Sequence, residues 1–340
     1  MKASDFAELL DVPSIEVALE EVAVAMEQAL RGSDELVVPA IRMLNGGGKR
    51  LRPLLTIASA RAADPTTSID PLDSAVRSGA ASVELVHVGS LVHDDIIDDA
   101  ESRRGVVTVN AREGSSQAVL VGDFLLARAG VEAATVSKEV AMSLALTISD
   151  LCDGQSLEGL KENDLDRSVD DAIASIAGKT GALMRASCDI AAYAVGANHL
   201  ADPLARFGMN FGIAFQLVDD LLDLLSTDEL MGKPVNNDVK CGVYSVPALK
   251  ALELTEHPSE LRDLMKAAGE SDDAAAGFRE VVLTSGAIDE TVSMVHDYNL
   301  RAAEDLTSLP DSPTRDGLAQ LPERYLNGIL AEKTAHTQPA

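Results

Sequence analysis

The sequence predicts an all-α fold, a helical bundle around a central active-site cavity, and three observations carry the prediction. Helical periodicity runs almost from end to end of the 340 residues, while strand-like alternation is hard to find anywhere. The apolar content, 46% of the chain, is mostly Ala, Leu and Val, with 3% aromatics and no tryptophan, a composition that favours helix over sheet. Two aspartate clusters of one form, Asp94-Asp95-Ile96-Ile97-Asp98 and Asp219-Asp220-Leu221-Leu222-Asp223, sit inside apolar stretches that read as long helices.

The pattern places helices near 14–31, 35–45, 51–63, 70–98, 116–134, 137–161, 169–196, 201–225, 245–267, 273–285, 287–306 and 315–332. Local breakers separate them: Gly46-Gly47-Gly48, Asp64-Pro65, Arg104-Gly105, Gly232-Lys233-Pro234 and Ser308-Leu309-Pro310. None is long enough to be an interdomain linker. A single all-helical domain over 1–332 is therefore expected, with 333–340 a frayed tail.

Composition narrows the function. A net charge of −27 argues against nucleic acid and anionic membrane surfaces as partners. An anionic substrate then needs a local basic patch or metal ions. Cys152, Cys188 and Cys241 are odd in number and lack metal-type spacing, so they read as reduced thiols in a cytoplasmic protein. No run approaches a membrane span or a signal core, so no stable membrane insertion is expected.

On a helix, positions i, i+1 and i+4 fall on one side, so each cluster aims three carboxylates in one direction. In a chain with 55 acidic residues, an acid-acid-x-x-acid pattern arises by chance on the order of once, and most such runs are solvated. Of five Asp-Asp pairs, however, only these two extend to the third aspartate, and they are the two most embedded in apolar sequence. Charges in that setting need neutralising. Divalent cations held between two facing helices do so, and hard oxygen ligands suit Mg²⁺ completed by water and substrate phosphate.

The basic residues, 28 in all, cluster where a diphosphate would need them. After Gly46-Gly47-Gly48, which admits close backbone approach to an anion, Lys49 and Arg52 are spaced to reach one phosphate. Arg103-Arg104 follows the first triad by five residues, at the expected end of its helix. Helix-dipole complementation is the plainer reading, and diphosphate clamping the functional one. His87 lies two turns before Asp94 on nearly the same side. Gln216 precedes Asp219 by three residues, Lys179-Thr180 follow Gly178, and Lys233 stands in a loop after the second triad.

The runs GGGKRLRP (46–53), ELVHVGSLVHDDIIDDAESRRG (84–105), GDFLLARA (122–129), GKTGAL (178–183) and FQLVDDLLDL (215–224) resemble the trans-isoprenyl diphosphate synthases, or polyprenyl synthetases, in order and spacing over roughly residues 40 to 250. The resemblance implies an all-α bundle, a homodimer, and head-to-tail joining of isopentenyl diphosphate to an allylic prenyl diphosphate. It implies about three Mg²⁺ per active site, held by Asp94, Asp95 and Asp98 and by Asp219, Asp220 and Asp223. It assigns Lys49, Arg52, His87 and Arg104 to isopentenyl diphosphate. Arg103, Lys179, Thr180 and Gln216 go to the allylic diphosphate, with Lys233 a further contact; Arg103 and Lys179 join the aspartates as catalytic groups.

One run departs from the family. Gly242-Val243-Tyr244-Ser245-Val246-Pro247 carries valine where the family usually has lysine and serine where it has threonine, with Lys240 close by as a candidate substitute. Short-chain members commonly place a bulky aromatic four or five residues before the first aspartate. Here Ser90 and Gly89 stand there, with Val86 and Val83 further down and Phe124 or Leu125 as later floors. A long product of about six or more isoprene units is expected, since pocket depth acts as a ruler; its release is expected to involve a membrane. A farnesyl- or geranylgeranyl-forming enzyme, a terpene cyclase and a non-catalytic partner subunit are the competing readings. Against the cyclase stand the second aspartate triad and the absence of tryptophan. Against the partner subunit stand all six aspartates.

Overall fold

The computed structural model describes residues 8–48, 50–225 and 236–334. Its first helices are α1 (Ile15–Ala29), α2 (Asp34–Leu44), α3 (Leu51–Ala63) and α4 (Ser74–Ile97). A hairpin of β1 (Ser102–Arg103) and β2 (Val106–Val107) leads to α5 (Val109–Glu113), α6 (Ser115–Val136) and α7 (Lys138–Leu160). Then come α8 (Val169–Ile176), a π-helical turn (Ala177–Gly181), α9 (Ala182–Ala194) and α10 (Ala201–Leu225). The remainder is α11 (Asn237–Lys240), α12 (Val246–Leu254), α13 (Pro258–Ala267), α14 (Asp272–Thr284), α15 (Ala287–Asp305) and α16 (Pro313–Thr334). The all-α prediction holds.

Most helix ends fall within two residues of the periodic pattern, and four features depart further. α4 begins at Ser74 because the Asp73 carboxylate accepts from Ala75 N (2.9 Å) and Val76 N (3.1 Å). The stretch 245–267 is two helices, since Pro258 opens a new one. The stretch 169–196 contains the π turn. The Arg103-Arg104-Gly105 run is a hairpin rather than a helix end, with Arg104 (φ 53°) and Gly105 (φ 78°) as its two-residue turn.

Two compact units divide the chain. The first comprises Met1–Ile148, Leu183–Gly208 and Asp305–Ala319. Within it α4 packs along α6, where a Cβ on Gly89 would lie 3.2 Å from both Leu125 Cβ and Leu126 Cδ2. Glycine there lets the two backbones close up. The second unit comprises Ser149–Ala182, Met209–Glu304 and Gln320–Ala340, with a core around Leu217, Leu221, Leu224, Tyr244, Val246, Met265 and Phe278.

One buried carboxyl of the first unit sets a pH dependence. Asp189 on α9 accepts from Ser143 Oγ at both oxygens (2.8 and 2.9 Å), and burial pushes its pKa up to about 7. Between about pH 4 and 7 the folded chain keeps this proton while the unfolded chain has released it. Its contribution to stability is therefore present below pH 4 and is lost as pH rises through 7, by on the order of 4 kcal/mol. Asp189→Asn is expected to flatten that part of the pH–stability curve in urea unfolding. An unchanged curve would mean that Asp189 ionises without cost.

Candidate active site

The first unit carries the first aspartate cluster at the C-terminus of α4. Asp94 and Asp95 lie in its last turn, and Asp98 is the residue that ends it. The three carboxylates do not share one environment: Asp94 is half-buried, Asp95 buried and Asp98 exposed. Arg103, brought back by the hairpin, donates Nε to Asp95 Oδ1 at 2.7 Å. Asp95 Oδ2 is buried without a hydrogen-bond partner among the described residues, and burial raises the pKa of this carboxyl despite Arg103. A buried anionic oxygen with nothing to accept is the kind of atom a divalent cation satisfies.

The glycine run is tied to the same hairpin. Arg104 Nη1 donates to Gly47 O at 2.5 Å, and a Cβ on Gly48 (φ 146°) would sit 2.4 Å from that nitrogen. The glycines thus admit the guanidinium as well as a positive φ. Arg50, which sequence reasoning left unassigned, caps α3 with φ 49° and spans two elements. Its Nη1 meets Glu84 Oε1 at 2.9 Å and its Nη2 donates to Leu44 O at 2.6 Å. Arg50, Glu84, Arg103 and Arg104 line one small pocket. His87 is held well below the usual imidazole pKa by burial first, then by Arg52, Arg104, Arg103 and Arg50, so it is neutral.

Glu84 is only 4% exposed, so removing its cation strands a charge. Arg50→Met is expected to cost about 2–4 kcal/mol, and Arg50→Met with Glu84→Leu to recover most of that. Thermal melts of the two variants check this. Equal melting points for wild type and Arg50→Met would show the pair to be neutral.

The second unit carries the other cluster at the end of α10. Asp220 is buried, and its pKa is raised well above the carboxylate range by burial, then by Asp238. It accepts from Gln216 Nε2 at 3.1 Å, while Gln216 Oε1 accepts from Thr180 Oγ1 at 2.9 Å. Asp223 accepts the backbone N–H of Asn237 (3.1 Å) and Asp238 (3.3 Å) from α11. Tyr325 of α16 directs its hydroxyl at Asp219 Oδ1, 3.5 Å away, and stacks on Phe215 at 4.8 Å. Lys179 pairs with Glu158 (2.5 Å). The glycine before it serves a helix crossing: a Cβ on Gly178 would lie 2.7 Å from Gly154 Cα.

The structure therefore joins Thr180, Gln216 and Asp220 in one network, and Arg103 with Asp95. Lys49 and Lys233 lie outside the described residues. Gly89 faces α6, whereas Ser90 is half-buried with its Oγ on His87 O at 2.9 Å; Val83 and Val86 are fully buried. Sequence reasoning missed Arg50, Glu84, Glu158, Tyr325 and the α11 amides, whose partners are distant in the chain. Among the described residues no three acidic, imidazole or thiolate groups converge into a metal cage. Mg²⁺ is commonly held by one or two carboxylates, with substrate phosphates and water completing its shell.

The described chain is helical but for one short hairpin, and it carries two acidic clusters, each answered by nearby cations or amides. A profile of the polyprenyl synthetase family matches residues 34–282. The chain is 36% identical over 291 residues to an all trans-polyprenyl-diphosphate synthase of Mus musculus, across 83% of this chain and 69% of that one. It is 31% identical over 320 residues to nonaprenyl diphosphate synthase of Mycobacterium tuberculosis, across 93% and 94%. A solved polyprenyl synthase from Caulobacter crescentus CB15, complexed with calcium and isoprenyl diphosphate, superposes with a TM-score of 0.84 at 28% identity, covering 96% of this chain and 97% of that one. The protein belongs to the polyprenyl synthetase family.

Proposed function

We propose that this protein condenses isopentenyl diphosphate head-to-tail with an allylic prenyl diphosphate, releasing diphosphate and building a long-chain all-trans polyprenyl diphosphate. The observation that carries it is the pair of aspartate clusters, each with a buried carboxyl, on a chain of this family. The nonaprenyl product in the name of the mycobacterial relative supports the long chain, as does the lack of a bulky residue at Ser90.

In this reading Asp94, Asp95 and Asp98, with Asp219, Asp220 and Asp223, hold about three Mg²⁺. Bound there, Mg²⁺ neutralises charge on the departing diphosphate. Arg52, His87 and Arg104, with Lys49, take isopentenyl diphosphate; the neutral imidazole donates one hydrogen bond without adding to the crowd of guanidiniums. Thr180, Gln216 and Lys179 orient the allylic diphosphate, which Lys179 reaches by exchanging Glu158 for it; Arg103 serves the same diphosphate, and Lys233 is a further contact. The allylic C–O bond ionises, the isopentenyl double bond attacks the cation, and the departing diphosphate takes the proton. Apolar walls keep water from the cation.

The reading extends to assembly. Val119, Leu120, Val131, Met142 and Leu146 on α6 and α7 are exposed apolar residues, and a second copy of the chain would cover them as a homodimer. Among the described residues no helix is long and apolar enough to cross a membrane. The test is incubation of purified protein with Mg²⁺, isopentenyl diphosphate and farnesyl or geranylgeranyl diphosphate, sizing the dephosphorylated prenols by mass. A ladder ending in one dominant prenol of six or more units is expected. No elongation with any starter, or a stop at three or four units, overturns the reading.

A further inference from the structure

Arg167 closes the loop between α7 and α8 and is only 6% exposed. Its Nη1 donates to Tyr244 O at 3.3 Å, and its Nε has no hydrogen-bond partner among the described residues. Glu158, Asp220, Asp171 and Asp164 act on it through space, in that order. Burial works against its charge, yet a guanidinium keeps its proton. A buried cation with an unspent donor is costly unless an anion answers it. Arg50, by contrast, spends its Nη donors on Leu44 O and on a carboxylate, Glu84, whereas Arg167 Nη1 meets a carbonyl.

Two neighbours indicate which anion. Glu158 is the carboxylate that holds Lys179, and Asp220 belongs to the second aspartate cluster. The carbonyl that Arg167 touches is that of Tyr244, one residue after Val243, where the sequence has no cation. We propose that Arg167 is a further substrate-binding residue of the second unit, its guanidinium holding the diphosphate of the allylic substrate beside Asp220 and supplying the charge that Val243 does not. This rests on the prenyl-transfer reading above.

The experiment compares Arg167→Met, Arg167→Lys and the double variant Arg167→Met/Val243→Lys with wild type. The readouts are separate KM values for farnesyl and isopentenyl diphosphate, and calorimetric titration with inorganic pyrophosphate and Mg²⁺. Arg167→Met is expected to raise the farnesyl diphosphate KM at least tenfold and weaken pyrophosphate binding, leaving the isopentenyl diphosphate KM within twofold. Lysine at 243 is expected to recover most of that loss, which no repair of packing at 167 would do. Equal rises in both KM values, or no recovery in the double variant, overturn the proposal. If Arg167→Met does not fold, Arg167→Lys decides: a KM rise confined to the allylic substrate supports the proposal, and unchanged affinities overturn it. If wild type elongates no starter, the prenyl-transfer reading falls, and the pyrophosphate titration alone decides whether Arg167 holds an anion.

Discussion

Asp220→Asn is expected to lose at least about a thousandfold in elongation rate and yet to melt higher than wild type in the presence of EDTA. Asp220 is 6% exposed, and burial together with Asp238, Asp219 and Glu158 opposes its ionisation. Gln216 Nε2 is its main support, and an asparagine Oδ1 accepts that bond equally well. The substitution keeps the volume and removes a buried charge, a change worth on the order of 1–3 kcal/mol in stability. In a chain of 340 residues each kcal/mol moves the melting point by roughly 1–2 °C. Turnover falls because an amide is a poor Mg²⁺ ligand and the departing diphosphate loses part of its neutralisation.

Asp223→Asn is the internal contrast. Its carboxylate accepts two backbone N–H groups of α11, so the amide is expected to destabilise by about 1 kcal/mol as a lost helix cap does. Stability and activity should therefore move in opposite directions at 220 and together at 223. Differential scanning fluorimetry in EDTA, alongside product assays, reads both. A lower melting point for Asp220→Asn, or turnover within tenfold of wild type, would sink the idea that this carboxyl is kept buried at a cost for function.

The parts legible in the sequence are those that repeat locally. Apolar sequence marks α3 and α10 to the residue, because each is buried on most of its sides and bounded by polar or breaking residues. The Asp-Asp-x-x-Asp spacing marks the acidic ends of α4 and α10 for a similar reason. The π turn at 177–181 was hidden, since five residues are too few to show a change of helical period; Gly178 within it lies close to Gly154. The β1–β2 hairpin was hidden too, because four paired residues are too few to show alternation. Pairings such as Arg50 with Glu84 or Tyr325 with Asp219 join residues far apart in the chain, and no spacing rule reaches them. The family resemblance marked Val243 as standing where a lysine is usual; only the fold brings Arg167 to the adjoining carbonyl.

Ser90→Phe is expected to shorten the product to three or four isoprene units while the protein still folds, whereas Gly89→Phe is expected to fail as a plug. Both positions lie within five residues of Asp94, and spacing alone does not separate them. The helix does. Ser90 shares one side of α4 with Val83, His87 and Asp94, at i−7, i−3 and i+4, so a ring there projects along the side that carries the acidic cluster. Ser90 is half-buried and its hydroxyl bonds only back to His87 O, which phenylalanine relinquishes at little cost. Gly89 is turned a quarter of the way round, onto α6. A Cβ there already meets Leu125, Leu126 and the Gly122 carbonyl at 3.2–3.3 Å, and the last is backbone that cannot step aside. An aromatic ring at 89 must force α4 from α6, an overpacking cost of about 1–3 kcal/mol or more. Mass analysis of the prenols and thermal melts of both variants distinguish the cases. A short product from Gly89→Phe at wild-type stability, with Ser90→Phe still making the long chain, would reverse the assignment and put the growing tail on the α6 side of the helix.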